Sequence, residues 1–263
     1  MLTPQQIEQF KTQGYLRSGR VVTDEQVETL RSEMARVIAD HGKPNVPQPV
    51  SLTNLSGKPE APVWQIVNIW EASPAYRELV SNPAITQEMA QLTAANTLRI
   101  WHDQIQYKPA STGGTNMWHQ DAPLWPTLTP MTEVSAWVAL DDVDEANGCM
   151  WMVPGSHLWG NQMQFWGTLE DFDGLPAEYQ GHAITTAPCP VKKGEVHYHH
   201  ALTWHGSPPN TSSRPRRAIA LHYMTQETRY VANSGHIMEP FITLQDGDMM
   251  QGEHFPVVWP ADR

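Results

Sequence analysis

Charge of either sign is scarce in this 263-residue chain. Only 17% of its residues are Asp, Glu, Lys or Arg, against roughly 25% in an ordinary globular domain. Positive charge is the scarcer, with 17 Lys and Arg facing 28 Asp and Glu for a formal net charge of −11. No basic run offers a local exception, so phosphate backbones and anionic lipid surfaces are repelled and neither nucleic acid nor a membrane is expected as a partner. No apolar stretch approaches the roughly 20 residues that a membrane span needs. The opening MLTPQQIEQF has no basic flank leading into an apolar run, so no signal peptide is expected, and a cytoplasmic location is. Cysteine is nearly missing: Cys149 and Cys189 stand alone and form no CxxC pair, which fits a reducing compartment and leaves room for one disulfide at most.

Proline, tryptophan and histidine are abundant, at 22, 11 and 12 residues. Much proline argues for turns and strand ends rather than a helical bundle. The chain is long enough to bury a core without staples. Thr3-Pro4 opens a helix with Ile7 and Phe10 on one face, and Gly14 ends it. Thr23 and Gln26 form a capping box before a second helix that carries Val27, Leu30, Met34 and Val37. The first forty residues therefore read as two helices that pack on a sheet. Residues 43–63 read as irregular, proline-rich covering loop, and 72–96 as helical pieces. From residue 97 the pattern changes to short segments rich in Trp, Val, Ile and Tyr, punctuated by Gly, Pro, Asn and Ser. Residues 160–190 form a long acidic insertion that reads as a flap over an active site. With no repeat and no linker, one domain spanning 1–263 is expected. It is mainly β with flanking helices: helices in 1–96 packed on a double-stranded β-helix, or jelly roll, in 97–263.

The chemistry concentrates in two places. In MWHQDAPLW, His119 and Asp121 are two apart, which on an extended strand puts imidazole and carboxylate on one face. In HHALTWHGSPPNTSSRPRRAIAL, His205 closes a strand, Ser207 faces the same way, and a turn returns the chain through Arg216. On that return strand Arg216, Ala218 and Ala220 share a face and Arg217, Ile219 and Leu221 share the other, leaving room beside Arg216 for a ligand. Two imidazoles and one carboxylate are the donor set of the facial triad of non-haem iron oxygenases, with the remaining metal positions open.

WHQDAPLWP, NGCMWMVPGSH and HALTWHGSPPNTSSRPRRAI together resemble the phytanoyl-CoA dioxygenase (PhyH-like) family of Fe(II)/2-oxoglutarate oxygenases, and the N-terminal helices LTPQQIEQFKTQGYL and TDEQVETLRSEM resemble it too. The resemblance implies that His119, Asp121 and His205 ligate Fe(II). It implies that Arg216 pairs with the distal carboxylate of the cosubstrate 2-oxoglutarate, helped by the Ser207 hydroxyl, and that Lys108 approaches the same molecule. It further implies hydroxylation or desaturation of a C–H bond with O2, 2-oxoglutarate leaving as succinate and CO2. Asp121 stands where the family's halogenases carry a small residue, which favours hydroxylation or desaturation over halogenation. Arg suits a carboxylate on physical grounds, since its planar fork binds bidentately. Arg214, in the turn, is the runner-up anchor.

Ile100, His102, Gln104, Gln106 and Lys108 alternate onto one face of a core strand, a polar face that makes sense against a wet cavity, so Gln106 and Lys108 are read as functional. Trp118, Trp125 and Trp137 are candidate walls of a substrate pocket, and Trp64 and Trp70 candidates for its mouth. His197 and His199 share the face of His205 and would serve a cupin-like enzyme independent of 2-oxoglutarate. That reading leaves His119 and Asp121 unexplained. A non-catalytic binding protein of the same fold is a third reading, and it would be expected to have lost a ligand or the arginine. His102, His157 and His222 read as structural, and His200 as a buried, hydrogen-bonded histidine near the triad. The absence of a Lys/Arg cluster argues for a small metabolite or natural-product intermediate over coenzyme A.

Overall fold

The computed structural model describes residues 1–260. Twelve strands make two facing antiparallel sheets: β1 (Tyr15–Arg20), β2 (Ser51–Asn54), β3 (Trp64–Val67), β4 (Leu98–Lys108), β5 (Asn116–His119), β6 (Val134–Ala139), β7 (Met150–Met152), β8 (Ala187–Cys189), β9 (Glu195–His200), β10 (His205–Ser207), β11 (Arg216–Thr225) and β12 (Val257–Trp259). The main sheet runs β1-β9-β6-β11-β4-β3-β2, with β12 also paired to β4. The smaller sheet runs β8-β7-β10-β5. This is the mainly β architecture with flanking helices that the segment pattern predicts.

Alternation along β11 explains both faces of the main sheet. Ile219, Leu221 and Tyr223 are buried in one apolar cluster with Leu30, Met34 and Val37 of the helix Asp24–Asp40 and with Tyr76, Leu79, Ile85 and Met89. The last four lie on two short helices, Pro74–Val80 and Pro83–Thr93. Ala218 and Ala220 face the other way, onto Trp137, Met150 and Met152. Thr23 caps its helix by the capping box read from the sequence, Thr3 forms a second such box with Gln6, and Gly14 takes the left-handed conformation (φ 78°) that ends the first helix, Pro4–Gln13.

Three expectations are corrected. The first forty residues hold a strand as well as two helices, since β1 pairs with β9 at one sheet edge. β2, inside the supposed loop 43–63, pairs with β3 to extend the other edge. The N-terminal region therefore completes the sheet and does more than cover it. Finally, strict alternation along β4 fails at Trp101. His102 pairs with His222 and Ile100 with Tyr223, and the register shifts between them. The bulge turns Ile100 into the helix-facing core while His102, Gln104 and Gln106 keep the cavity side.

Candidate active site

His119 and His205 meet because β5 and β10 are neighbours and the two residues are direct cross-strand partners. Their ring centroids are 4.2 Å apart. The Gly206 backbone makes this approach possible: a Cβ there would lie 3.0 Å from the Asn116 carbonyl oxygen and 3.1 Å from the Trp118 nitrogen. His119 Nδ1 is 2.7 Å from the Met117 carbonyl oxygen and His205 Nδ1 is 2.9 Å from that of Thr203. A carbonyl only accepts, so each Nδ1 carries the proton and each Nε2 is left with a lone pair. Both Nε2 atoms lie 3.6 Å from Asp121 Oδ1. One donor atom from each of the three residues falls within 4.8 Å of the others, the one such group of three or more metal-binding side chains among the described residues.

Asp121 arrives by a different route from the one the spacing predicts. β5 ends at His119, and Asp121 opens a 3-10 turn over Ala122–Leu124 with helical backbone angles (φ −73°, ψ −50°). The turn, and not an extended i, i+2 face, swings its carboxylate onto the imidazoles. The far oxygen, Oδ2, accepts from His199 Nε2 at 3.1 Å and from Ser135 Oγ at 3.4 Å, and Ser135 Oγ lies 2.7 Å from His222 Nδ1. Burial holds both ligand-type imidazoles at about 4. Burial opposes ionisation of Asp121, yet the imidazoles around it, His205 foremost, keep its carboxyl well below the usual range. Two neutral imidazoles and one carboxylate, with lone pairs converging, are the protonation state a divalent metal binds.

Deeper in, Arg216 is fully buried and keeps one valence open. Its Nε donates to the Gly148 carbonyl at 3.2 Å and its Nη2 to Ser207 Oγ at 3.0 Å, while Nη1 has no partner. The guanidinium lies over the Trp137 ring, 5.3 Å from its centroid. Burial pulls it down to about 10, so it stays charged at neutral pH. Lys108 Nζ bonds the Ser207 carbonyl at 3.0 Å, Ser207 Oγ at 2.6 Å and the Pro208 carbonyl at 2.6 Å. Burial, and then the charge of Arg216, drive its ammonium well below its ordinary range. Lys108 is thus engaged with the Ser207 loop and does not reach into the cavity itself. Ser207 Oγ, accepting from both Lys108 and Arg216, has its own hydrogen free to donate.

Of the remaining sequence-predicted residues, Gln106 lines both the outer cavity and the inner pocket beside the triad, Trp125 the outer cavity, and Trp137 the inner pocket. Trp118 does not belong with them. It points to the opposite face of β5, stacks on Phe172 at 4.9 Å and donates to the Phe172 carbonyl at 2.7 Å. Trp70 is buried in the helical core and Trp64 stands outside the cavity lining. Arg214 pairs with Asp144 at the surface. His200, expected near the triad, instead packs against His157 with the rings tilted and their centroids 5.5 Å apart. His199, set aside as half of a rival metal pair, instead braces Asp121, while His197 stacks on Trp137 at 5.1 Å with both ring nitrogens unpartnered. Ser135 and His222 were missed as neighbours of the site. Cross-strand pairing of Ser135 with both His199 and His222 assembles them, and no motif in a single segment reports that.

The outer cavity, about 920 Å³, is walled by β3, β4 and β5, by residues 55–61 and by Glu170, Asp171 and Phe172 of the acidic insertion. Both segments read from the sequence as covers therefore contribute to it.

The profile of the family described as "Phytanoyl-CoA dioxygenase (PhyH)" matches residues 10–218. Peroxisomal phytanoyl-CoA dioxygenase of Rattus norvegicus is 23% identical over 256 residues, covering 91% of this chain and 73% of that protein. Ectoine dioxygenase of Bordetella parapertussis is 26% identical over 246 residues, covering 86% and 76%. Among solved structures, the non-heme alpha ketoglutarate dependent carbocyclase SnoK from nogalamycin biosynthesis matches with a TM-score of 0.80 and 27% identity, over 97% of this chain and 96% of its own. EctD from S. alaskensis, solved with 2-oxoglutarate and 5-hydroxyectoine, shares the fold with a TM-score of 0.74 and 19% identity, over 96% and 87%.

Proposed function

The chain belongs to the phytanoyl-CoA dioxygenase (PhyH) family of non-haem iron, 2-oxoglutarate-dependent oxygenases, and from that premise we propose that His119, Asp121 and His205 hold its iron and Arg216 its cosubstrate. The observation that carries this reading is the convergence of three donor atoms within 4.8 Å, each already oriented by a hydrogen bond on its far side. The unpartnered Nη1 of Arg216 supports the second half: a buried cation with a free N–H and no carboxylate beside it fits the remote carboxylate of a dicarboxylic acid. Ser207 donates its hydroxyl hydrogen to the same carboxylate, and Lys108 acts through Ser207 by fixing it. Gln106 spans the inner and outer spaces and borders both cosubstrate and substrate. Bound there, iron with 2-oxoglutarate and O2 supplies the oxidising power to functionalise an unactivated C–H bond, 2-oxoglutarate leaving as succinate and CO2.

The chain acts on a small molecule, and hydroxylation, with desaturation as the variant outcome, is the reaction proposed. The charge around the cavity argues against coenzyme A thioesters: away from the triad, its wall carries Glu60, Glu170 and Asp171 against Lys58 alone, which repels a polyanion. A natural-product intermediate fits better, and the likeness to SnoK agrees with that. Iron- and oxygen-dependent formation of succinate from 2-oxoglutarate tests the assignment. Wild type is expected to form it and His119→Ala to lose it; retention of full turnover and iron by His119→Ala contradicts the ligand set. A mass-spectrometric screen for products one oxygen heavier then identifies the substrate.

A further inference from the structure

The outer face of the small sheet, turned away from the triad, carries a second cavity. Gly206 of β10 lies between Trp151 of β7, its cross-strand partner, and Trp118 of β5. Having no side chain, Gly206 leaves a gap between the two tryptophans. The Phe172 ring of the acidic insertion fills part of that gap: a Cβ on Gly206 would lie 3.1 Å from it. The space that remains, about 360 Å³, is floored by Trp118 and Trp151 and walled by the segments of the insertion around Leu175 and Ile184. Small-molecule sites measure roughly 300–1,000 Å³. Among the described residues, this cavity shares only Phe172 with the one over the triad.

The lining selects a chemistry. Trp118, Trp151 and Phe172 are aromatic, Asp173 is acidic, and every other side chain is aliphatic except that of Thr186. Aromatic faces attract cations, as a carboxylate does. The surroundings act in the same sense: residues 160–190 hold Glu170, Asp171, Asp173 and Glu178 and no Lys or Arg, so an anion is repelled. A primary ammonium has three N–H donors, each of which needs an acceptor once water is stripped away. The lining side chains offer only Asp173 and Thr186 for that purpose, whereas a quaternary ammonium needs no acceptor at all. The Trp151 indole N–H is buried without a protein acceptor, which leaves it for an oxygen that the ligand brings.

We propose that this cavity is a second binding site, for a quaternary ammonium compound whose head group packs on Trp118 and Trp151 with Asp173 as its counter-charge. The site lies behind the triad, since Trp118 precedes His119 and Gly206 follows His205 in the chain. Its occupant is therefore neither the cosubstrate nor the molecule oxidised on the other face.

The test is anaerobic calorimetry on the iron- and 2-oxoglutarate-loaded protein with choline, which carries both a trimethylammonium head and an oxygen. Choline is expected to bind saturably. Its neutral isostere 3,3-dimethylbutanol is expected to bind about tenfold more weakly, because the attraction of the rings and of Asp173 for the charge is lost. Asp173→Asn is expected to weaken choline about threefold and Trp151→Leu about tenfold, each with 2-oxoglutarate affinity at the wild-type value. Asp173 is exposed, so its substitution leaves the fold intact, and the comparison of choline with its isostere on the wild-type chain needs no variant. Absence of saturable binding, equal binding of the isostere, or choline affinity unchanged in Asp173→Asn and in folded Trp151→Leu overturns the proposal. The last of these results would put choline in the cavity over the triad instead.

Discussion

Arg216 and Arg217 are neighbours on one strand, and the two faces of the main sheet treat them in opposite ways. Arg217, on the helix-facing side, is satisfied by Asp141 through Nε at 2.9 Å and Nη2 at 2.7 Å, and that carboxylate raises its already high pKa. Arg216, on the cavity side, is deeper, has only neutral partners and keeps Nη1 free. The same contrast holds across the faces. The helix side closes on Ile219, Leu221 and Tyr223, packed against Leu30, Met34 and Tyr76. The cavity side presents histidines, amides and a carboxylate whose bonding capacity is partly open. One face stabilises the fold, and the other is kept unsatisfied for a ligand.

Substitutions that strike one face and spare the other sharpen this contrast. The largest effect belongs to Asp121→Ala, which removes the only carboxylate of the donor group: equilibrium dialysis is expected to show at least a 100-fold loss of Fe(II) affinity, with the melting temperature of the metal-free protein unchanged or raised. Next is Ile219→Ala on the helix side, expected to cost about 2–5 kcal/mol in urea unfolding while the affinity of the remaining folded protein for Fe(II) and 2-oxoglutarate stays at the wild-type value. His199→Phe keeps a ring but frees Asp121 Oδ2, and Fe(II) affinity is expected to fall about 10–100-fold, the scale seen when the group bracing a metal ligand is lost. The smallest effect is that of Arg217→Ala. Its partly exposed ion pair is worth about 1 kcal/mol of stability, and its 2-oxoglutarate affinity is expected to be unchanged; a tenfold change would blur the two faces into one.

The helix side was readable from the sequence because it follows periodicity: the capping box at Thr23, the apolar stripe of the helix it opens and the alternation of β11 are all local. The cavity side was readable only in part. His119, His205, Ser207 and Arg216 sit in two compact segments whose spacing reports their chemistry. Asp121 was identified for a geometry it does not adopt, since the turn at Ala122–Leu124 depends on packing further along. Trp118 was misplaced because a strand tells which residues share a face without telling which face meets the cavity. The bulge at Trp101 moved Ile100, and the bracing by Ser135 and His199 exists only through pairing between β6 and β9, 60 residues apart in places. Such contacts have no signature in a single segment.

The central claim is that the free valence of Arg216 exists to bind the cosubstrate and costs the fold stability when nothing fills it. Arg216→Met tests both halves at once, since it keeps the side chain's length and removes the charge. Anaerobic calorimetry with 2-oxoglutarate on the iron-loaded protein is predicted to show at least a 100-fold loss of affinity, while the ligand-free variant melts no lower than wild type, because replacing an incompletely compensated buried charge by an apolar side chain is often neutral or stabilising. Wild-type affinity for 2-oxoglutarate in Arg216→Met would contradict the account directly.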